Sequence, residues 1–114
     1  MGLNHVALTV SDRKKSADFY KEYFGFYSTV HEDDHLLILA DTAGGLLALS
    51  KGDVPADLPR TNHFGSQLDS TQAVLAARET FRRNGVIEAE FQEHGPTRVQ
   101  VFDPDGYRVE VYAF

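Results

Sequence analysis

Residues 3–25 read LNHVALTVSDRKKSADFYKEYFG, and residues 61–85, TNHFGSQLDSTQAVLAARETFRRNG, repeat their plan. In the first stretch Leu3, His5, Ala7 and Thr9 share one face and Asn4, Val6, Leu8 and Val10 the other, the period of a half-buried strand. Ser11 is placed to cap a helix. DRKKSADFYKEYF then puts Ala17, Tyr20 and Phe24 at helical spacing, and Gly25 stops the helix. In the second stretch a strand is followed by Asp69 or Ser70 as cap. Val74, Ala77 and Phe81 form one stripe, and Gly85 is the stop. Strands complete each copy: FYSTVHED, HLLILAD and LLALS in the first, VIEAEF, TRVQVFD and YRVEVYAF in the second.

Laid over each other, NHV at residue 4 matches NHF at residue 62, and Ser11 matches Asp69. The turn Asp41-Thr42-Ala43-Gly44 matches Asp103-Pro104-Asp105-Gly106, which puts GLLAL over YRVEV. This is an internal duplication of a βαβββ unit. The expected class is α+β, with two tandem βαβββ modules forming a cupped mixed sheet around a cleft, because one such unit alone leaves a sheet face uncovered. Module one spans 1–50 and module two 61–114. KGDVPADLPR, residues 51–60, carries two of the four prolines and reads as a linker.

At 114 residues the chain fits one domain, and 42% hydrophobic with 25% charged residues fits a globular protein. LLILA is far too short to span a bilayer, and MGLNHVALTV has no basic start followed by an apolar core, so neither membrane nor secretory leader is expected. The chain has no cysteine, which excludes disulfides and thiolate chemistry and fits a cytoplasmic location. A net charge of −6 argues against nucleic acid as a partner. The cluster Arg13, Lys14, Lys15 reads as a solvated helix face.

Three polar residues sit where strand-formers belong. His5 and His63 occupy the same place in the first strand of each module, and Glu110 lies between Val109 and Val111 in the last strand. A lone buried imidazole is ordinarily a satisfied core residue, but two at equivalent positions can converge through the pseudo-twofold. A buried carboxylate is costly unless it is paired or holds a metal. Two imidazoles and one carboxylate form the facial set for a divalent metal, with Zn, Fe, Mn, Ni and Co all acceptable. The residue matching Glu110 in module one is Ala48, so the chain supplies three ligands and the site is open.

NHVALTVSDRKKSADFYKEYFGF, TNHFGS and above all VFDPDGYRVEVY resemble the vicinal oxygen chelate superfamily, the glyoxalase/bleomycin resistance/dioxygenase group. The resemblance implies a divalent metal between paired modules, chelated by neighbouring substrate oxygens, with His5, His63 and Glu110 as ligands. Glyoxalase I-like members use a carboxylate where this chain has Ala48. Fosfomycin-inactivating members carry a Thr where Ala7 stands and a longer loop than QEHGPTR. Extradiol dioxygenases share a His-Gly pair, here His94-Gly95, but have a Tyr where Gln100 stands.

The expected function is therefore that of a metal-dependent enzyme acting on a small molecule by lyase, isomerase or dioxygenase chemistry. The alternative is a drug- or metabolite-binding resistance protein without catalysis. His94 is the candidate general base and Arg98 the candidate anchor for an anionic substrate group. His31 and His35, flanking the acidic turn, receive no role. The halves would close one cleft within a chain or exchange between two copies, and a homodimer is expected.

Overall fold

A computed structural model describes residues 1–114, which divide into two compact units, Met1–Ala56 and Asp57–Phe114. The first comprises β1 (His5–Val10), α1 (Arg13–Tyr23), β2 (Phe26–Glu32), β3 (Leu37–Asp41) and β4 (Leu46–Lys51). The second comprises β5 (His63–Gln67), α2 (Thr71–Arg83), β6 (Glu88–Gln92), β7 (Thr97–Phe102) and β8 (Arg108–Ala113). Each unit is a four-stranded mixed sheet with one helix, in the orders β1-β4-β3-β2 and β5-β8-β7-β6. The first and last strands of each unit pair in parallel, and the other pairs are antiparallel.

The ladders reproduce the duplication rung by rung. His5 pairs with Leu46 and Ala7 with Ala48; His63 pairs with Arg108 and Gly65 with Glu110. The two Asp turns are built alike. Asp41 Oδ1 accepts from the Ala43 and Gly45 amides at 2.9 and 2.7 Å, and Asp103 Oδ1 from those of Asp105 and Tyr107, both at 2.9 Å. Such Asx turns let the side chain satisfy amides that the bend would strand.

The start of α1 differs from expectation. The α1 cap is Asp12, not Ser11: its Oδ1 accepts from the Lys15 amide at 3.1 Å, and Arg13 is the first helical residue. In α2 the cap is Ser70, whose Oγ accepts from Ala73 at 3.1 Å. Both caps then stand one residue past the matched pair Ser11 and Asp69, so the repeat is preserved. Gly25 and Gly85 end the helices with φ of 75° and 72°, a conformation that costs a residue with a Cβ.

Alternation decides which sheet face is covered. In unit one Val10, Leu39, Leu47 and Leu49 are fully buried with Tyr20 of α1. In unit two Val99, Val101, Val109 and Val111 are buried with Val74 and Phe81 of α2, which packs on β7 and β8. The intervening residues make the other face: Arg98, Gln100 and Phe102 of β7, paired with Tyr112, Glu110 and Arg108 of β8. His5 and Ala7, like His63 and Gly65, are exposed on this helix-free side of their own sheets. β4 runs through Lys51, and Arg60 belongs to the second unit. No helix is long and apolar enough to cross a membrane.

Candidate functional site

The helix-free face of the second sheet holds a polar network around a recess of about 320 Å³, lined by Arg60, Thr61, His63, Glu90, Arg98 and Gln100. Glu110 belongs to this network and is buried, at 7% exposure. Its Oε2 accepts from Arg98 Nη1 at 3.1 Å and from Gln100 Nε2 at 3.3 Å. Arg108 Nη1 donates to Gln100 Oε1 at 3.2 Å, which fixes the amide so that its NH₂ points at Glu110. Arg98 also donates through Nη2 to Glu90 at 3.2 Å and through Nε to Gln92 at 3.4 Å. Arg60 Nε reaches Glu90 at 3.3 Å.

The other oxygen of Glu110 faces His63. Nε2 of His63 lies 3.5 Å from Glu110 Oε1, while its Nδ1 lies 2.9 Å from the Thr61 carbonyl. A carbonyl only accepts, so Nδ1 carries a hydrogen, and in the neutral imidazole Nε2 is then the nitrogen that presents a lone pair. In that form two electron-pair donors face each other across 3.5 Å. Ligands bound at about 2.0–2.2 Å to one divalent cation lie about 3–3.5 Å apart, so this pair has the spacing of two neighbours on one ion. Locking of the distal ring nitrogen by a backbone carbonyl is the usual support of a metal-bound imidazole.

Charge balance in the network follows from its contacts. Glu90 is held below the ordinary carboxylate range, first by the hydrogen bond from Arg60 and next by that from Arg98. Burial pulls Arg98 down, but Glu110 and Glu90 together outweigh it and raise the guanidinium above its usual value. All three guanidinium nitrogens of Arg98 are engaged within the protein.

Of the residues singled out from sequence, His63, Glu110 and Arg98 come together here, whereas His5 stands on β1 of the first unit. Within neither unit do three His, Asp or Glu side chains gather as a metal-holding group. His94 is exposed in the turn after β6. Its carbonyl accepts from Gln92 Nε2 at 2.8 Å, and the same NH₂ reaches the Pro96 carbonyl at 2.9 Å.

Sequence reasoning missed Glu90, Arg60 and Gly65. Simple alternation puts Glu88 and Glu90 on one face, but a bulge between them turns them apart. Glu88 instead pairs with Arg78 of α2 at 2.7 Å, and Arg78 lies over the Phe91 ring. Gly65 carried a signal: a glycine in mid-strand marks a close approach, here of Glu110.

The model of the Glyoxalase/Bleomycin resistance protein/Dioxygenase superfamily matches residues 2–111. The chain belongs to this superfamily. Among relatives of the glyoxalase/dioxygenase superfamily chain, a trivalent organoarsenical cleaving enzyme of Bacillus sp. (strain MD1) is 28% identical over 95% of this chain and 70% of its own length. A structure described as a possible glyoxalase from Bacillus cereus is 27% identical with a TM-score of 0.83, covering 98% of both chains. The fosfomycin resistance protein FosX from Listeria monocytogenes, solved with Mn(II) and sulfate, is 19% identical with a TM-score of 0.83, covering 99% of this chain and 92% of its own. At that identity the likeness to FosX is one of fold.

Proposed function

We propose that this superfamily member is a metal-dependent enzyme acting on a small molecule with adjacent oxygens, with His5, His63 and Glu110 holding the ion. One observation carries the reading: Nε2 of His63 and Oε1 of Glu110, two atoms able to ligate a metal, face each other at 3.5 Å, each oriented from behind by a hydrogen bond. A neutral binding pocket needs no such pair of opposed donors. Mn(II) in FosX, a neighbour of the same fold, agrees with that donor set. His5 would come from the first unit, of the same chain or of a second copy.

Bound there, a divalent metal supplies Lewis-acid polarisation of the substrate oxygens or activation of water. The residues of the chain do the rest. Arg98 and Gln100 hold Glu110 by Oε2, which leaves Oε1 toward His63. Thr61 fixes the tautomer of His63. His94 is the proposed base, at the turn that Gln92 ties to Arg98. Lyase, isomerase and dioxygenase chemistries all use these parts. Cleavage of trivalent arsenicals has less support, because these 114 residues offer no thiolate to a soft arsenic centre.

Elemental analysis after incubation with Mn²⁺, Zn²⁺ or Ni²⁺ and desalting tests the proposal. The expected result is near-stoichiometric metal in the wild type. His63→Ala, Glu110→Gln and His5→Ala should each weaken binding by about a hundredfold or more, beyond the loss typical of supporting residues. A wild type that retains no metal, or an E110Q variant that binds as well, would refute it.

A further inference from the structure

We infer that Arg60 is a specificity-determining residue that recruits an oxyanion, a carboxylate or phosphate-like group of the substrate, to the recess beside His63. The inference rests on the reading of that recess as the substrate side of the proposed site, and three observations carry it.

The first is charge. Arg60, Arg98 and Arg108 surround Glu90 and Glu110, three guanidiniums against two carboxylates, in a chain whose formal net charge is −6. An anion drawn there answers to a local excess of positive charge, because the protein as a whole repels it.

The second is availability. Arg98 has every nitrogen engaged, and Arg108 is committed to Gln100 and lies over the Phe102 ring. Arg60 touches Glu90 through Nε at 3.3 Å, leaving Nη1 and Nη2 as an open fork at the recess, and its side chain is 75% exposed. Such a fork matches the two oxygens of a carboxylate or phosphate.

The third is the low cost of release. A single-contact exposed ion pair stabilises little. If Arg60 swings toward a ligand, Glu90 keeps Arg98 at 3.2 Å and Arg108 at 3.5 Å, so no carboxylate is stranded. Arg98 stays with Glu110 and the anion goes to Arg60, which separates support of the site from recognition of substrate.

The test follows arginine Nε–H resonances while metal-free protein at low ionic strength is titrated with acetate or inorganic phosphate. The expected result is saturable movement of the Arg60 signal with little at Arg83, and binding weakened about tenfold or more in Arg60→Met, with partial recovery in Arg60→Lys. An Arg60 signal that does not move, equal movement at Arg83, or unchanged affinity in R60M would overturn the inference. Metal loading is measured separately on R60M. Normal metal uptake with lost anion binding supports the role given to Arg60. Anion binding that survives in R60M overturns that role, whether or not metal is taken up.

Discussion

Gly65 and Glu110 face each other on one rung of the parallel β5–β8 ladder, so closely that no side chain fits between them. A Cβ built on Gly65 would lie 2.6 Å from Glu110 Cγ and 2.7 Å from the Glu110 carbonyl oxygen. The equivalent rung in the first unit pairs Ala7 with Ala48. That rung accommodates a methyl on each strand. The glycine thus accommodates both the side chain and the backbone carbonyl of Glu110.

Gly65→Ala should destabilise the protein by about 1–3 kcal/mol, the usual cost of overpacking, although alanine is otherwise the better strand residue. Urea denaturation measures it. The same substitution should impair metal uptake, because relief of the clash moves the Glu110 carboxylate. A change within about 0.5 kcal/mol, the range of an ordinary surface replacement, would rule out the close approach.

Arg98→Met leaves the buried Glu110 without its arginine partner, while Glu90 keeps Arg60 and Arg108. The expected loss is about 2–4 kcal/mol, at the lower side of what breaking a buried pair costs because solvent still reaches the guanidinium. Adding Glu110→Gln should recover part of it, giving a coupling of about 1–3 kcal/mol in a double-mutant cycle. Additive losses would mean that the 3.1 Å contact between the two contributes nothing.

Asp12→Ala should cost about 1 kcal/mol by removing the α1 cap, and Ser70→Ala a similar amount in α2. Ser11→Ala should cost less than Asp12→Ala, because it is Asp12 that accepts from the Lys15 amide. Thermal unfolding of the three variants side by side decides it.

Asp33 gives a pH prediction with a definite sign. Its carboxyl is lowered from 3.8 to about 2, first by the His31 hydrogen bond at 2.8 Å and then by the His35 and Leu36 amides. A depressed folded value means that its contribution is fully present above the unfolded value and is lost as pH falls through about 2. Carboxyl NMR titration should find the Asp33 midpoint well below that of an ordinary aspartate. His31→Ala should raise it toward the ordinary range while leaving the amide contribution. A wild-type midpoint near 3.8 would contradict the arrangement.

The duplication was legible because it rests on local rules. Period-two alternation marked the strands, the Asx turns at Asp41 and Asp103 repeated, and Gly25 and Gly85 stopped both helices. Capping failed by one residue at Ser11 because two adjacent residues can both cap. Which one does depends on where the helix meets its sheet, a matter of packing rather than of side-chain type. Glu110 stood out in the sequence because a carboxylate among valines is costly wherever the strand lies.

By itself the sequence determined two βαβββ units, the alternation of the first strand and the polar residues that break the pattern, since each of these follows from spacing along the backbone. Only the tertiary structure decided which charges meet. A bulge in β6 sent Glu88 to the helix and Glu90 to the recess. Strand register set Gly65 against Glu110, and the segment before β5 brought Arg60 to Glu90. The reason is physical: a one-residue offset reverses the face of every side chain beyond it, and no local propensity records where that offset falls.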